Sequence, residues 1–414
     1  MRGEAGRSGE DVRSDLHVVV EPGEGLELAV ASKVESMYGD TIRETATGAL
    51  SALGVADARV TVDDRGAVDW VIAARVEAAA RAAGLVGGER AGGEAAGAGA
   101  PYVEPTVSAA VEFPATSRDR LRRSRLYLPG NEPKFMLNAG LHGPDGVILD
   151  LEDSVHPDAK AAARVLVKYA LRSVDFGAAE RMVRINQLPL GLADLEAIVA
   201  ERPNLVLIPK VESPDQVAEV ATVVRELQGA HGIDAGERPI WLMPILESAL
   251  GLERAYEIAA VDDTVVALTI GLEDYTADLG VVKTSAGEET LWARRRLVNA
   301  AHAARVQAID SVYGDVTDEA GLLAWGRRAR AMGFTGMGCV HPRQIRVIHE
   351  AFAPGPEELE KAQRIVAAFR EAESQGLGVV SLGSKMIDPP VVLRARRLVE
   401  HARQMGLLDK EGAE

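Results

Sequence analysis

Residues 182–212 read MVRINQLPLGLADLEAIVAERPNLVLIPKVE, two short β-rich runs, MVRIN (182–186) and LVLIP (205–209), separated by a helical segment. Parallel neighbours in a sheet need a crossover of this kind, so strand, helix and strand in sequence point to an α/β fold. The alternation continues on both sides. RLYLP (125–129) and GVILDL (146–151) come before; IWLMPI (240–245), TVVALTI (264–270), VQAID (306–310) and FTGMGCV (334–340) come after. Eight strands with intervening helices is the count for a closed (β/α)8 TIM barrel, expected here over 120–354. Beyond it, Pro356 to Gln375 reads as helix, GLGVVSLGSKMIDPP as an irregular extension and Val391 to Gln404 as a last helix, which makes 355–414 a C-terminal helical extension.

Upstream the composition changes abruptly. Gly87 to Gly99 is GGERAGGEAAGAG, and three prolines follow before Asp119, so 87–119 reads as a flexible linker. Residues 1–86 carry a strand at LHVVVEP, an amphipathic helix from Ser32 to Leu53, an alternating strand at ARVTVDD and a second helix from Ala67 to Ala83. That is a small α+β domain preceding the barrel.

Among 414 residues, 62 Asp and Glu stand against 46 Lys and Arg, a formal charge of −16 that disfavours a nucleic-acid or anionic-membrane surface. The expected partners are small molecules or proteins. One cysteine, Cys339, excludes an intrachain disulfide. The start, MRGEAGRSGEDVRSD, has no apolar core of a signal peptide, and no later run reaches the ~18 apolar residues of a membrane span, so a cytoplasmic protein is expected.

Barrel active sites form at the C-terminal ends of the strands, which makes the polar residues there informative. Glu152 and Asp153 follow the second strand, Arg184 and Asn186 share one side of the third, Lys210 and Glu212 follow the fourth, Glu247 the fifth and Asp274 the sixth. Single carboxylates on neighbouring strand ends, such as Glu247 and Asp274, can hold Mg2+ and leave positions for water and substrate; each could equally cap the helix that follows. Arg184, on an otherwise apolar strand, needs an anion: a substrate carboxylate, or a structural pairing with Glu152 or Asp153. Gly130 and Asn131 form a turn that could meet an anion or be only a turn. Cys339 reads as a packed core thiol and His341 as a structural histidine.

The motifs RRSRLYLPGN, VILDLEDSV, VRIN, LIPKVES, ILES, GLEDYTADLG, GCVHPRQI and KMID, in this order, resemble the citrate lyase β-subunit family, within the wider group of citrate lyase and malyl-CoA lyase barrels. The likeness runs from Arg122 to Met405. The front domain, from GLELAVASKVESMYGD to VIAARVEAA, is similar to the citrate lyase γ-subunit, an acyl carrier. The resemblance implies that Glu247 and Asp274 hold Mg2+, that Arg184 binds the carboxylate of the oxo-acid half, and that Glu152 and Asp153 line the site, with Arg123 and Lys210 as further substrate-binding candidates. Asp388 of KMID would act as general acid on an extension reaching into a neighbouring subunit's site. The glycine usual before the lysine of that motif is Ser384 here. In the carrier the modified serine aligns with Arg13, which leaves Ser14 as the attachment candidate and Ser8 second.

The expected reaction is therefore cleavage of a citryl thioester to oxaloacetate and an acetyl thioester. The carrier would be a phosphoribosyl-dephospho-CoA group on Ser14, or free CoA thioesters such as malyl- or citramalyl-CoA would be the substrates. A related thioesterase activity and a non-catalytic carrier role are the other readings. The expected partners are a homo-oligomer, trimer or hexamer, with shared active sites, and a citrate lyase α-subunit.

Overall fold

The computed structural model describes residues 1–86, 114–374, 380–382 and 385–409. The front domain is a four-stranded sheet in the order β1-β2-β4-β3, with β1 at Gly3–Gly6, β2 at Leu16–Pro22, β3 at Leu26–Ser32 and β4 at Ala58–Asp64. Two helices cover it, α1 (Glu35–Ala52) and α2 (Asp69–Ala82). Two of these strands carry little signal in the sequence. LELAVAS (β3) runs parallel to β4 at the sheet edge and buries none of its residues, so its alternation is weakly amphipathic, and the first helix starts at Glu35 rather than Ser32. β1 is GEAG, too small and short to read as a strand. It needs that smallness, because a Cβ on Gly3 would lie 2.2 Å from the Ala79 carbonyl oxygen of α2.

Every residue of α2 from Trp70 to Ala80 is buried. A helix buried on all sides has partners on both faces. One face covers the sheet; the other packs on α3 (Lys160–Ser173) of the barrel, where Glu77 accepts hydrogen bonds from Lys168 Nζ at 2.9 Å and Tyr169 Oη at 2.8 Å. The carrier-like domain is thus docked on the barrel through a mostly apolar helix pair with one ionic anchor.

The barrel closes in the order β5 (Ser124–Pro129), β6 (Gly146–Asp150), β7 (Glu180–Arg184), β8 (Leu205–Ile208), β9 (Trp241–Leu246), β10 (Ala267–Ile270), β11 (Gln307–Asp310) and β12 (Gly336–Cys339), all parallel, with β12 pairing back to β5. Period-2 alternation sends Ile148, Met182, Leu207, Met243 and Ile309 into the lumen, where they form their own apolar cluster. Arg122 and Glu180, both buried, form a bidentate pair beneath it at 2.7 and 2.9 Å.

The segment expected to be a linker does not all behave as one. Its part from 87 to 113 lies outside the described residues, but from Pro114 the chain is fastened to the lower rim of the barrel: Trp241 Nε1 donates to the Thr116 carbonyl at 2.9 Å and Thr116 Oγ1 to Glu180 at 2.7 Å. The indole and the buried carboxylate need these partners, which composition alone does not reveal.

After the barrel come α4 (Pro356–Ser374), an antiparallel pair β13 (Val380–Leu382) and β14 (Lys385–Ile387), and α5 (Pro389–Gln404). The extension expected to be irregular is therefore a hairpin in part; Ser384 lies outside the described residues. Ile365, Val366, Ile387, Val392 and Val399 give this tail its own apolar cluster. No described helix is long and apolar enough to cross a membrane.

Candidate active site

The C-terminal ends of β5, β6, β7, β9, β10, β11 and β12 surround a cavity of about 470 Å3, lined among others by Arg125, Asp150, Arg184, Glu247, Thr269 and Asp274. Arg184 ends β7 opposite its register partner Asp150, which ends β6. Adjacent strand ends bring the two side chains together as a fork: Nε donates to Oδ1 at 2.6 Å and Nη2 to Oδ2 at 2.8 Å. Nη1 lies 2.8 Å from Glu152 and 3.5 Å from Asp153, and the guanidinium sits 5.3 Å from the centre of the Tyr127 ring. Burial would lower the Arg184 pKa, but the hydrogen bonds and charge of Asp150 raise it above the usual range. Burial likewise pushes Asp150 up, and Arg184 outweighs it, so Asp150 stays ionised. Arg184 thus has both a structural carboxylate and a place at the cavity. Asp150 is not marked in the sequence, where it reads as the polar end of GVILDL; its signal is the register with Arg184, and register is not visible in one strand.

Glu247 follows β9. Its Oε1 accepts the Lys210 backbone N–H at 2.7 Å, offered by a residue in the left-handed region at φ 51°. Burial, and then the charge of Asp274, pushes the Glu247 carboxyl up to about 8. Lys210 Nζ is drawn among carboxylates, 3.4 Å from Glu152, 3.7 Å from Asp274 and 3.8 Å from Asp153, and though burial opposes it, their charges raise its pKa. Glu247, buried and hydrogen-bonded, and Asp274, whose charge raises the pKa of Glu247, both line the cavity and are hard oxygen donors. No group of three or more His, Cys, Asp or Glu able to hold a metal occurs among the described residues. Mg2+ commonly takes one or two protein carboxylates and completes its octahedron with water and substrate, so the donor set fits that ion.

Other expectations resolve differently. Arg123 does not reach the cavity: it lies just before β5, at the opposite end of the barrel, and forks onto Asp145 at 2.8 and 2.9 Å. A residue two positions before the lumen-facing Arg125 but ahead of the strand itself is left at the lower rim, where it pairs with Asp145. Asn186 is held by Asp194, to which its Nδ2 donates at 2.8 Å, and by Lys160. Glu212 is exposed and outside the cavity lining. Cys339 is buried, its thiol pushed up to about 12 by that burial, and the exposed His341 accepts the Arg343 N–H at 3.2 Å to cap a turn. Asp388 is exposed and serves as N-cap of α5, accepting from Val391 N–H at 3.4 Å; it does not line this chain's own cavity.

The turn at Gly130–Asn131 is occupied from within. Arg75 of α2 grips the buried Asp15 at 2.9 Å through both Nε and Nη2, and Nη2 also donates to the Asn131 carbonyl at 2.9 Å. Arg7 pairs with Glu132 beside it. Ser14, next to Asp15, is half-buried at φ 56°, with its N–H on the Arg65 carbonyl at 3.1 Å; Ser8 and Arg13 are exposed. The serine loop is therefore tied to the loop after β5, on the catalytic face.

A closed parallel barrel with carboxylates and an arginine gathered at the C-terminal ends of its strands is the arrangement of a barrel enzyme with its active site on that face. Residues 123–342 match the HpcH/HpaI aldolase/citrate lyase family, and residues 6–83 match the malonate decarboxylase delta subunit family of acyl carriers. The chain belongs to the HpcH/HpaI aldolase/citrate lyase family and is a carbon–carbon lyase. It is 37% identical over 298 residues to the citrate lyase subunit beta of Leuconostoc mesenteroides subsp. cremoris, covering 72% of this chain and 98% of that one. It is 36% identical over 291 residues to human mitochondrial citramalyl-CoA lyase, covering 67% of this chain and 84% of that one. The crystal structure of protein CitE from Mycobacterium tuberculosis in complex with magnesium, acetoacetate and coenzyme A matches 70% of this chain and all of that one, with 32% identity and a TM-score of 0.57.

Proposed function

We propose that the chain cleaves a citryl thioester, carried on its own front domain, into oxaloacetate and an acetyl thioester. The observation that carries this reading is the Asp15–Arg75–Asn131 connection, which holds the loop of Ser14 against the loop after β5, on the face where Arg184, Glu247 and Asp274 gather. A front domain kept only as a relic has no use for a buried ion pair aimed at the barrel's catalytic face.

In the cleavage the 3-hydroxyl gives up its proton to a water molecule, its oxygen becomes the keto oxygen, and the bond from the carbinol carbon to the thioester α-carbon breaks. Its electron pair passes into the thioester as an enolate, which takes a proton at the α-carbon. Glu247 and Asp274 would hold Mg2+, which when bound supplies Lewis-acid polarisation of the hydroxyl and its neighbouring carboxylate. Arg184 is locked in plane by Asp150, leaving part of its five-donor fork for the carboxylate of the oxo-acid half. Lys210, whose raised pKa keeps it cationic, balances the cluster of Glu152, Asp153 and Asp274 around that half. The proton for the enolate comes from Asp388 of a second copy, since the chain's own Asp388 stands outside its cavity.

The test is product analysis with intact mass. Natively expressed protein is expected to gain a phosphoribosyl-dephospho-CoA mass that Ser14→Ala abolishes, and citryl-loaded protein with Mg2+ to release oxaloacetate. Free acid and CoA without an oxo acid would make the chain a thioesterase; equal activity on free citryl-CoA after Ser14→Ala would remove the carrier from the mechanism.

A further inference from the structure

Arg125 is the second residue of β5, below Tyr127 on the lumen side, and it is 1% exposed. Its guanidinium crosses the barrel interior: Nη1 lies 2.9 Å from Met243 Sδ on β9 and Nη2 donates to Thr269 Oγ1 on β10 at 3.0 Å. Nε has no hydrogen-bond partner, and among the described residues no carboxylate pairs with Arg125. The other buried arginines nearby differ. Arg122 is neutralised by Glu180 and Arg294 by Asp310. A buried guanidinium beside the Met243 thioether without a carboxylate partner is unfavourable, and arginine cannot shed its proton to escape that.

Arg125 is also among the residues that line the cavity holding Arg184, Glu247 and Asp274. Arg184 is already bound by Asp150 and flanked by Glu152 and Asp153, so it brings little net positive charge. The wall opposite is Glu247 and Asp274. Resting on the lyase reading above, a citryl group brings two free carboxylates: one beside the hydroxyl, at the metal-binding carboxylates and Arg184, and one on a CH2 arm. Among the described residues that line the cavity the cations are Arg184 and Arg125, and with Arg184 assigned to the first carboxylate Arg125 is left for the second.

We propose that Arg125, with Thr269, is a subsite at the cavity floor for the distal carboxylate of the oxo-acid half, and that it selects acyl groups bearing that carboxymethyl arm over those with hydrogen or methyl in place of the arm. The guanidinium loses its unpaired state when substrate binds, so part of its burial cost is returned in discrimination.

The test uses the full chain and the variants Arg125→Met, which keeps length in an apolar lumen, and Thr269→Val. With citryl and citramalyl thioesters, which differ by carboxymethyl against methyl, Arg125→Met should lower kcat/KM for citryl by roughly 100-fold or more and leave citramalyl within about threefold. Thr269→Val should shift the ratio the same way by about tenfold. Calorimetry in Mg2+ should find that wild type binds oxaloacetate more tightly than pyruvate and that Arg125→Met has lost the preference. A merely structural arginine would lower both substrates together and depress Tm; the subsite predicts an unchanged or higher Tm, since an unpaired buried charge is gone. Equal losses on both substrates, or undiminished citryl cleavage, overturn the subsite while leaving the lyase reading standing. If wild type cleaves neither thioester yet prefers oxaloacetate through Arg125, the lyase reading falls and the subsite stands.

Discussion

A Cβ on Gly271 would stand 2.4 Å from Oε2 of Glu247 and 2.8 Å from its Cβ. Gly271 is the residue after β10, so the Glu247 carboxylate of one strand end rests in space that the neighbouring strand end leaves open. Gly271→Ala should displace the carboxylate without touching the lumen. Mg2+ affinity, measured by calorimetry, is expected to fall by about 10- to 100-fold and turnover with it, while Tm moves by only a few degrees. Unchanged Mg2+ affinity would detach Glu247 from the metal.

Glu247→Ala and Asp274→Ala are each expected to abolish lyase turnover in a folded protein, because both sit on the functional face of the barrel rather than in its core. Near-normal activity of either variant, after chelation and restoration of Mg2+, would end the metal assignment.

The raised pKa of Glu247 sets a pH dependence. Without metal the folded carboxyl titrates at about 8, against 4.5 for an ordinary glutamate. The folded state therefore holds a proton that the unfolded chain has lost, so this group's contribution is full below the unfolded pKa and is lost as pH rises through about 8. Metal-free protein should lose a few kcal/mol between about pH 5 and 8, and Glu247→Gln should flatten that slope. Mg2+ binding at about pH 7 should release close to one proton, seen by calorimetry in buffers of different ionisation enthalpy. No proton release would show Glu247 already ionised.

Arg184→Lys keeps the charge and loses the fork onto Asp150. A fall in kcat/KM of at least about 100-fold is expected, roughly 3 kcal/mol of lost orientation and binding. A drop of only a fewfold would make Arg184 structural.

Asp388→Asn and Glu247→Ala should each be inactive alone and regain part of the activity when mixed, because hybrid oligomers contain sites with both residues intact. Native mass spectrometry verifies subunit exchange. Verified hybrids without activity would sink the shared site.

The order of eight strands, their polar ends and the spacing of the motifs are written in local chemistry: period-2 apolar runs, crossover helices and residues just past strand ends need no partner to be recognised. This is why Glu247, Asp274, Arg184 and Lys210 are legible as rim residues, and why the likeness from Arg122 to Met405 can be drawn. The pairings were decided elsewhere. Asp150 takes the guanidinium because β6 and β7 lie in one register, Arg123 is spent on Asp145 while Arg125 crosses the lumen, and Arg75 reaches from one domain to Asn131 of the other. Such contacts join residues tens of positions apart, and their geometry depends on how strands close and helices dock, which no local pattern encodes. Charge, periodicity and motif thus determined the barrel and the residues at its rim; only tertiary packing decided which arginines pair with a carboxylate away from the cavity and which reach it.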